Sequence, residues 1–249
     1  MSHKQPLGKI PPESIVMLDV PRYPKEIIDG YLALSDMTGT VSDALDELGI
    51  VGVIPGSTLR LTIPGARIAG PAITVRNIEQ RDQTYKGARE RISRMAEIEA
   101  HNLAEPGDVL VIEGVDGISN MGGISATIGK RQGEVGAIVD GGIRDVEEQR
   151  SIGFPVWSRS VSSITGKWRV QTVAINGPVR VAGVQVHPGD LVVADEGAVC
   201  FVPREVVEVV LKRAREIHEG EARRYADIAA GVPVFELASK THVYKFKEE

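Results

Sequence analysis

The chain is poor in the residues that staple or solubilise by extremes. It has one cysteine, Cys200, in 249 residues, which excludes an internal disulfide and a cysteine-rich metal site. Cys200 lies in the apolar run Ala198-Val199-Cys200-Phe201-Val202, where a lone thiol reads as a small buried hydrophobe. Aromatic residues are 4% of the chain, so stacking platforms for bases or sugars are scarce. There is no large charge excess: 29 basic and 34 acidic residues leave a net charge of −5. That argues against nucleic acid as the partner, because phosphate backbones demand a concentrated positive field. No apolar run approaches the roughly 18 residues of a membrane span. The opening Met1-Ser2-His3-Lys4-Gln5-Pro6 lacks the apolar core of a signal peptide. The expectation is a cytoplasmic protein with neither a membrane nor a nucleic-acid partner.

What is abundant is glycine, 27 residues, well above the usual share of roughly 7%. Its placement carries the reading. Residues 1–37 read as an N-terminal arm and a helix from Pro24 to Leu34, residues 38–230 as the main domain, and 231–249 as a tail. A second helix is expected over 40–49, with Val41, Ala44, Leu45 and Leu48 on one face and Gly49 as its stop. A strand follows at 66–78, bent at Gly70 and Pro71. The charged stretch 80–101 reads as one helix; Arg81, Arg89, Arg91 and Arg94 on it are either a guide for an anion or an ordinary solvated face. The phrase Pro-Gly-Asp before an apolar strand occurs at 106–108 and again at 188–190, which suggests two similar β-units. Between them the pattern predicts helix 123–131, strand 135–140, helix 144–152, strand 154–158 and more strands over 168–187. A long amphipathic helix then runs from Pro203 to Ala230. Alternating strands and helices in the middle make this an α/β chain.

Two glycine pairs carry the chemistry. Gly122-Gly123 precedes the helix that begins Ile124-Ser125, and Gly141-Gly142 precedes Ile143-Arg144-Asp145. A helix start offers unpaired amides and the positive end of a dipole to an anion. Arg144 stands at the end of a buried strand, where α/β sheets place ligands, and a guanidinium there grips a carboxylate with two bonds. The competing reading makes Asp145 a helix cap with Glu148 as its partner three residues on, and pairs Arg144 with Glu148 one helical turn away.

Gly123, twenty intervening residues, Arg144-Asp145, two more residues, then Glu148 resembles the signature of the RraA-like family, in its class II pyruvate aldolase branch. These are the 4-hydroxy-4-methyl-2-oxoglutarate / 4-carboxy-4-hydroxy-2-oxoadipate aldolases; some relatives carry a demethylmenaquinone methyltransferase label, for which no adenosyl-methionine loop is found. The likeness runs through Gly133–Asp145, Phe154–Arg159, His187–Asp195 and Val202-Pro203, and covers roughly residues 38–230. It implies a three-layer α/β/β/α-type sandwich related to swivelling β/β/α domains, assembled as a homotrimer or homohexamer with sites at subunit interfaces. It implies Asp145 as ligand to Mg²⁺ or Mn²⁺, Glu148 supporting that metal through water, and Arg144 on the pyruvyl part of a small oxo-acid. The amides of Gly122, Gly123, Ile124 and Ser125 would hold the carboxylate.

The implied activity is cleavage of a 4-hydroxy-2-oxo acid to pyruvate and a second oxo-acid through an enolate, accompanied by oxaloacetate decarboxylation. A water on the metal is then the simplest base for the C4 hydroxyl. A Schiff-base route would need a lysine, and Lys130 and Lys167 both sit in polar, solvated sequence. Two alternatives share the resemblance. One is a non-enzymatic regulator of ribonuclease activity, a type that lacks the Asp after the Arg; the other is a sugar-acid lyase or dehydratase using the same site. The unusually charged stretch 77–97 and the absence of an aromatic in Ser119-Asn120-Met121 leave the substrate open.

Overall fold

The computed structural model describes residues 4–80 and 84–239; Arg81 lies outside them. Helices α1 (Lys25–Leu32) and α2 (Met37–Glu47) come first, followed by β1 (Val53–Pro55), β2 (Arg60–Leu61) and β3 (Ile68–Glu79). Two short helices, α3 (Thr84–Glu90) and α4 (Glu97–Leu103), lead to β4 (Val109–Glu113) and β5 (Ser119–Met121). The middle alternates as expected: α5 (Gly123–Gln132), β6 (Gly136–Ile143), α6 (Val146–Ser151) and β7 (Val156–Val161). Then come β8 (Val170–Ile175), β9 (Val179–Val181), β10 (Val184–Val186), β11 (Leu191–Ala194) and β12 (Ala198–Val202). The long α7 (Val207–Ala229) and α8 (Val234–Ser239) follow. Among the described residues no helix is long and apolar enough to cross a membrane.

The large mixed sheet runs β1-β12-β11-β3-β4-β6-β7-β2, with β5 beside β6 and β8 beside β3. Strand β3 is its pivot. Residues 68–71 pair antiparallel with β11, 72–76 pair parallel with β4, and 75–79 pair antiparallel with β8. The handover falls at Gly70 and Pro71, the positions expected to bend; a side chain at Gly70 would collide with the carbonyl of Gly107. The two Pro-Gly-Asp turns feed β4 and β11, the strands on either side of β3. Both glycines have positive φ (98° at Gly107, 83° at Gly189), which glycine adopts without penalty. Both aspartates close the turn alike: Asp108 accepts from the Glu105 amide and Asp190 from the His187 amide, each at 2.7 Å. The repeat is therefore one turn used twice.

Side-chain alternation along the strands sorts the interior into three cores. In β4, Val109 and Val111 face the space between the two halves of the sheet, while Leu110 and Ile112 face α4, α5 and α6. In β12, Val199 and Phe201 face that same space, while Ala198, Cys200 and Val202 face α1, α2 and α7. The order helix, strand, strand, helix is thus present, each layer separated from the next by an apolar core. Cys200 is buried as expected, and burial pushes its thiol up to about 12. The arm joins the body: Val16 donates to the Ile175 carbonyl, and Ile15 and Met17 pack on the core beneath α4.

Three local expectations change. The strand expected to end at Asp140 continues through both glycines to Ile143, because β5 pairs with Gly142 and Ile143. The helix expected from Arg144 begins at Val146. The charged stretch 80–101 is not one helix: Arg91 turns to φ 56°, and the chain then lies along β8, where the Ala96 amide donates to Thr172 Oγ1. Strands after residue 165 divide: β8 joins the main sheet, and β9 and β10 form a separate hairpin.

Candidate functional site

The first glycine pair packs on the Arg144-Asp145 turn that follows the second, and its lack of side chains is what allows it. A Cβ on Gly122 would stand 2.8 Å from Asp145 Oδ2 and 3.2 Å from Arg144 Nε. One on Gly123 would stand 2.9 Å from Glu148 Cγ and 3.2 Å from Asp145 Cβ. The start of α5 is therefore pressed directly onto the Arg144-Asp145 turn, and Ala at either position meets side chains already there.

Asp145 is not the helix cap that the sequence suggests. It sits just before α6 with φ 57° and ψ 43°, and its side chain makes no bond to that helix. Oδ2 instead accepts from the Gly123 amide at 3.0 Å. The left-handed backbone, uncommon outside glycine but tolerated by Asp, swings the carboxylate away from its own helix and onto the start of α5. The Arg144–Glu148 pairing is absent among the described residues; Arg144 Nε lies 3.5 Å from Asp145 Oδ2. The turn is fixed by its backbone: the Arg144 amide donates to the Met121 carbonyl at 3.1 Å, and Gln149 Nε2 donates to the Arg144 carbonyl at 2.9 Å.

At the start of α5, the Ala126 amide is the first to bond within the helix, to the Gly122 carbonyl. The amides before it have no intrahelical acceptor, and Asp145 occupies that of Gly123. Those of Ile124 and Ser125 remain to meet an anion. A cleft of about 270 Å³ lies here, with Glu97, His101, Ser125, Arg144, Asp145 and Lys167 among its walls. Lys167 is solvated, as expected, yet it lines the cleft; Lys130 is exposed and bonds the Gly153 carbonyl. Burial raises the Glu97 carboxyl above the usual range, against the pull of His101 and Lys167. Gly123, Ile124, Asp145 and Glu148 also border a second, more open cleft. Ile124 and Asp145 line both and form the ridge that the two openings share.

Sequence reasoning missed the floor. His101 Nδ1 lies 2.7 Å from Glu134 Oε1, and His101 Nε2 lies 2.8 Å from Ser125 Oγ. His101 and Glu134 are fully or almost fully enclosed, and Ser125 is 6% exposed. The signal that would have flagged them is Gly129, a glycine in the interior of α5, where it costs about 1 kcal/mol relative to Ala. A Cβ there would fall 2.6 Å from Glu134 Oε2 and 3.2 Å from His101 Cε1.

The carboxylate Asp140, in the strand before the site, serves the scaffold: it pairs with Arg159 and accepts from the Ala182 amide at 2.6 Å. Asn120 likewise ties down the loop 115–118, its amide donating to the Val115 and Ile118 carbonyls at 2.8 Å each. Among the described residues, no three His, Cys, Asp or Glu side chains cluster as a metal cage.

A helix start, an arginine and a displaced carboxylate thus line one cleft in an α/β/β/α-layered fold. The profile of the RraA-like family, described as Aldolase/RraA, matches residues 38–200. The chain belongs to the RraA-like family. A Halalkalibacterium halodurans protein provisionally named a 4-hydroxy-4-methyl-2-oxoglutarate aldolase is 31% identical over 192 residues, 76% of this chain and 83% of its own length. Protein DlpA of Legionella pneumophila is 29% identical over 215 residues, 82% of this chain; that match spans about a third, 32%, of DlpA. Among solved structures, Streptomyces coelicolor RraAS2, described as an unusual member of the RNase ES inhibitor RraA protein family, superposes with a TM-score of 0.65 at 29% identity. It covers 81% of this chain and 96% of that one.

Proposed function

We propose that this protein is a divalent-metal-dependent lyase that cleaves a 4-hydroxy-2-oxo acid to pyruvate and a second oxo-acid, and that also decarboxylates oxaloacetate. The observation that carries the proposal is the contact of Gly122-Gly123 with the Arg144-Asp145 turn, which brings Arg144, Asp145 and the free amides of Ile124 and Ser125 to one cleft. Aldolase names among relatives of about 30% identity support it.

The donor set fits a hard cation. Asp145 has one oxygen fixed by the Gly123 amide, which leaves Oδ1 for another ligand, and Glu148 borders the same ridge. Mg²⁺ and Mn²⁺ are commonly held by one or two carboxylates, with water and substrate completing the sphere. Asp145 would be the direct ligand and Glu148 a support through water. When bound, the cation supplies positive charge beside the substrate's 2-oxo oxygen.

The protein's own groups do the rest. The amides at the start of α5 receive the substrate carboxylate, helped by the helix dipole. Arg144 grips the pyruvyl end and stabilises the negative charge that grows there as the C3–C4 bond breaks. With Lys167 a second cation lines the cleft, which suits a substrate bearing two carboxylates. We further read the assembly as a homotrimer or homohexamer with the site at a subunit boundary. Ile124 is 77% exposed at the cleft edge, an apolar side chain that a second copy would cover.

Purified protein assayed with Mg²⁺ and either 4-hydroxy-4-methyl-2-oxoglutarate or oxaloacetate, with coupled pyruvate detection, tests the reading. EDTA-sensitive pyruvate formation is expected. Absence of turnover together with binding to a ribonuclease would instead favour the ribonuclease-inhibitor role after which the Streptomyces relative's family is named.

A further inference from the structure

We infer that Ser125, His101 and Glu134 form a proton relay in the cleft floor, with Ser125 Oγ as the group that takes the substrate's C4 hydroxyl proton. This rests on the aldolase reading and deepens it.

The three side chains come from separate elements: His101 from α4, Ser125 from the first turn of α5, and Glu134 from the loop before β6. Their bonds, 2.7 Å from His101 Nδ1 to Glu134 Oε1 and 2.8 Å from His101 Nε2 to Ser125 Oγ, connect the buried Glu134 through the imidazole to a residue of the cleft wall. A carboxylate only accepts, so Glu134 fixes the imidazole proton on Nδ1 and leaves Nε2 to accept from the Ser125 hydroxyl. Ser125, which lines the cleft together with Arg144 and Asp145, then keeps a lone pair on Oγ to accept a proton.

The arrangement is built at a cost. Glu134 Oε2 is buried without a hydrogen-bond partner, an expensive state for a carboxylate. Gly129, inside the unbroken α5, leaves the space that this carboxylate fills. Gln132 Nε2 additionally holds the His101 carbonyl at 3.0 Å. An unpaired carboxylate oxygen behind a histidine is a poor way to stabilise a fold, so its retention points to a use other than packing.

The step balances within the substrate and the relay. The C4 hydroxyl proton passes to Ser125 Oγ as the Ser125 proton passes to His101 Nε2, giving an imidazolium paired with Glu134. The C4 oxygen becomes a carbonyl, the C3–C4 bond breaks, and its electrons remain on the pyruvate fragment as the enolate. The imidazolium proton returns through Ser125 to C3, which yields pyruvate and restores the relay. No oxidant or external acid is consumed. Ser125 is the catalytic residue; His101 and Glu134 act through it.

The two reactions of the site make different demands. Oxaloacetate decarboxylation has no hydroxyl to deprotonate, and the enolate it releases ketonises in water. Cleavage, and the exchange of pyruvate's C3 protons in D₂O, both need a base. The test compares wild type with Ser125→Ala, Ser125→Thr and His101→Gln in the presence of Mg²⁺. It follows cleavage of 4-hydroxy-4-methyl-2-oxoglutarate, oxaloacetate decarboxylation and the pyruvate methyl signal by NMR in D₂O. General acid–base catalysis contributes about 10²–10⁴-fold. Ser125→Ala and His101→Gln should therefore lower the kcat of cleavage on the order of 10²-fold and slow methyl exchange alike, with little change in KM. Decarboxylation should fall much less. Ser125→Thr, which keeps the hydroxyl, should restore most of the cleavage rate. An active wild type whose Ser125→Ala form loses both reactions equally, or loses neither, overturns the relay and leaves the aldolase reading intact. A wild type inert with all three probes overturns both.

Discussion

The two Gly-Gly pairs look alike in sequence and serve opposite ends. At Gly122-Gly123 the missing side chains leave room for other side chains, those of Arg144, Asp145 and Glu148. At Gly141-Gly142 they leave room for the loop 115–118 and the Asn120 side chain that ties it down: a Cβ on Gly142 would lie 2.7 Å from the Ile118 carbonyl oxygen, and one on Gly141 2.5 Å from Asn120 Nδ2 and 2.8 Å from the Val115 carbonyl oxygen. Neither pair has the positive φ for which glycine is usually invoked. The first pair brings a chemical group to a helix start; the second seats a loop on a strand. A dipeptide that reads as a turn can thus be a packing requirement, and what it packs against decides whether it belongs to the site or to the scaffold.

Substitutions separate the two roles. The largest effect is expected just beyond the second pair, where the scaffold hands over to the site. Asp145→Ala should lower metal-dependent turnover by at least about 10³-fold, as loss of charge stabilisation does. Its melting temperature should stay near that of wild type, since the carboxylate is exposed. Arg144→Ala should raise KM as well as lower kcat. Near-normal kinetics in either variant would remove the assignment.

Gly142→Ala comes next and should act on stability. The carbonyl it meets cannot swing aside, and overpacking of this kind costs about 1–3 kcal/mol, a fall of several degrees in Tm for a chain of this size. Thermal unfolding followed by circular dichroism would register it, while residual activity below the transition stays close to normal. Smallest should be Gly122→Ala. Its obstacles are Asp145 Oδ2 and the Arg144 side chain, which can shift, so Tm should change little while turnover drops several-fold. If Gly122→Ala instead destabilises as much as Gly142→Ala does, the distinction between the pairs collapses.

The alternating middle of the fold was legible because each element obeys its own period, and the layer order followed once the family resemblance was in hand. Arg144 and Asp145 were legible as neighbours in one turn. Their geometry was not, because Asp-x-x-Glu before a helix has the composition of a capping box whichever way the backbone turns, and here φ 57° at Asp145 sends the carboxylate elsewhere. The break at 91–96 was hidden for a similar reason: the stripe looked helical, but β8 offered Thr172 and Gln171 as partners far along the chain. The contacts of Ser125, His101 and Glu134 were not legible because each side chain is unremarked in its own segment; Gly129 marked that something packs against α5, and only the tertiary fold shows what.

Strand β3 has a consequence for how the molecule is made. Its first four residues wait for β11, more than a hundred residues later, and β1 waits longer still for β12. A chain emerging from its N-terminus therefore carries α1 and α2, with their buried Tyr31, Met37 and Leu45, before the half-sheet beneath them exists. The parallel half can assemble as β4, β6 and β7 appear, whereas the layer holding Cys200 closes only once residue 202 has been synthesised. Such late, sequence-distant pairing is slow and leaves apolar surface in the open meanwhile. The strand that joins the two halves in the finished protein also sets the order of their birth, with the site's half first.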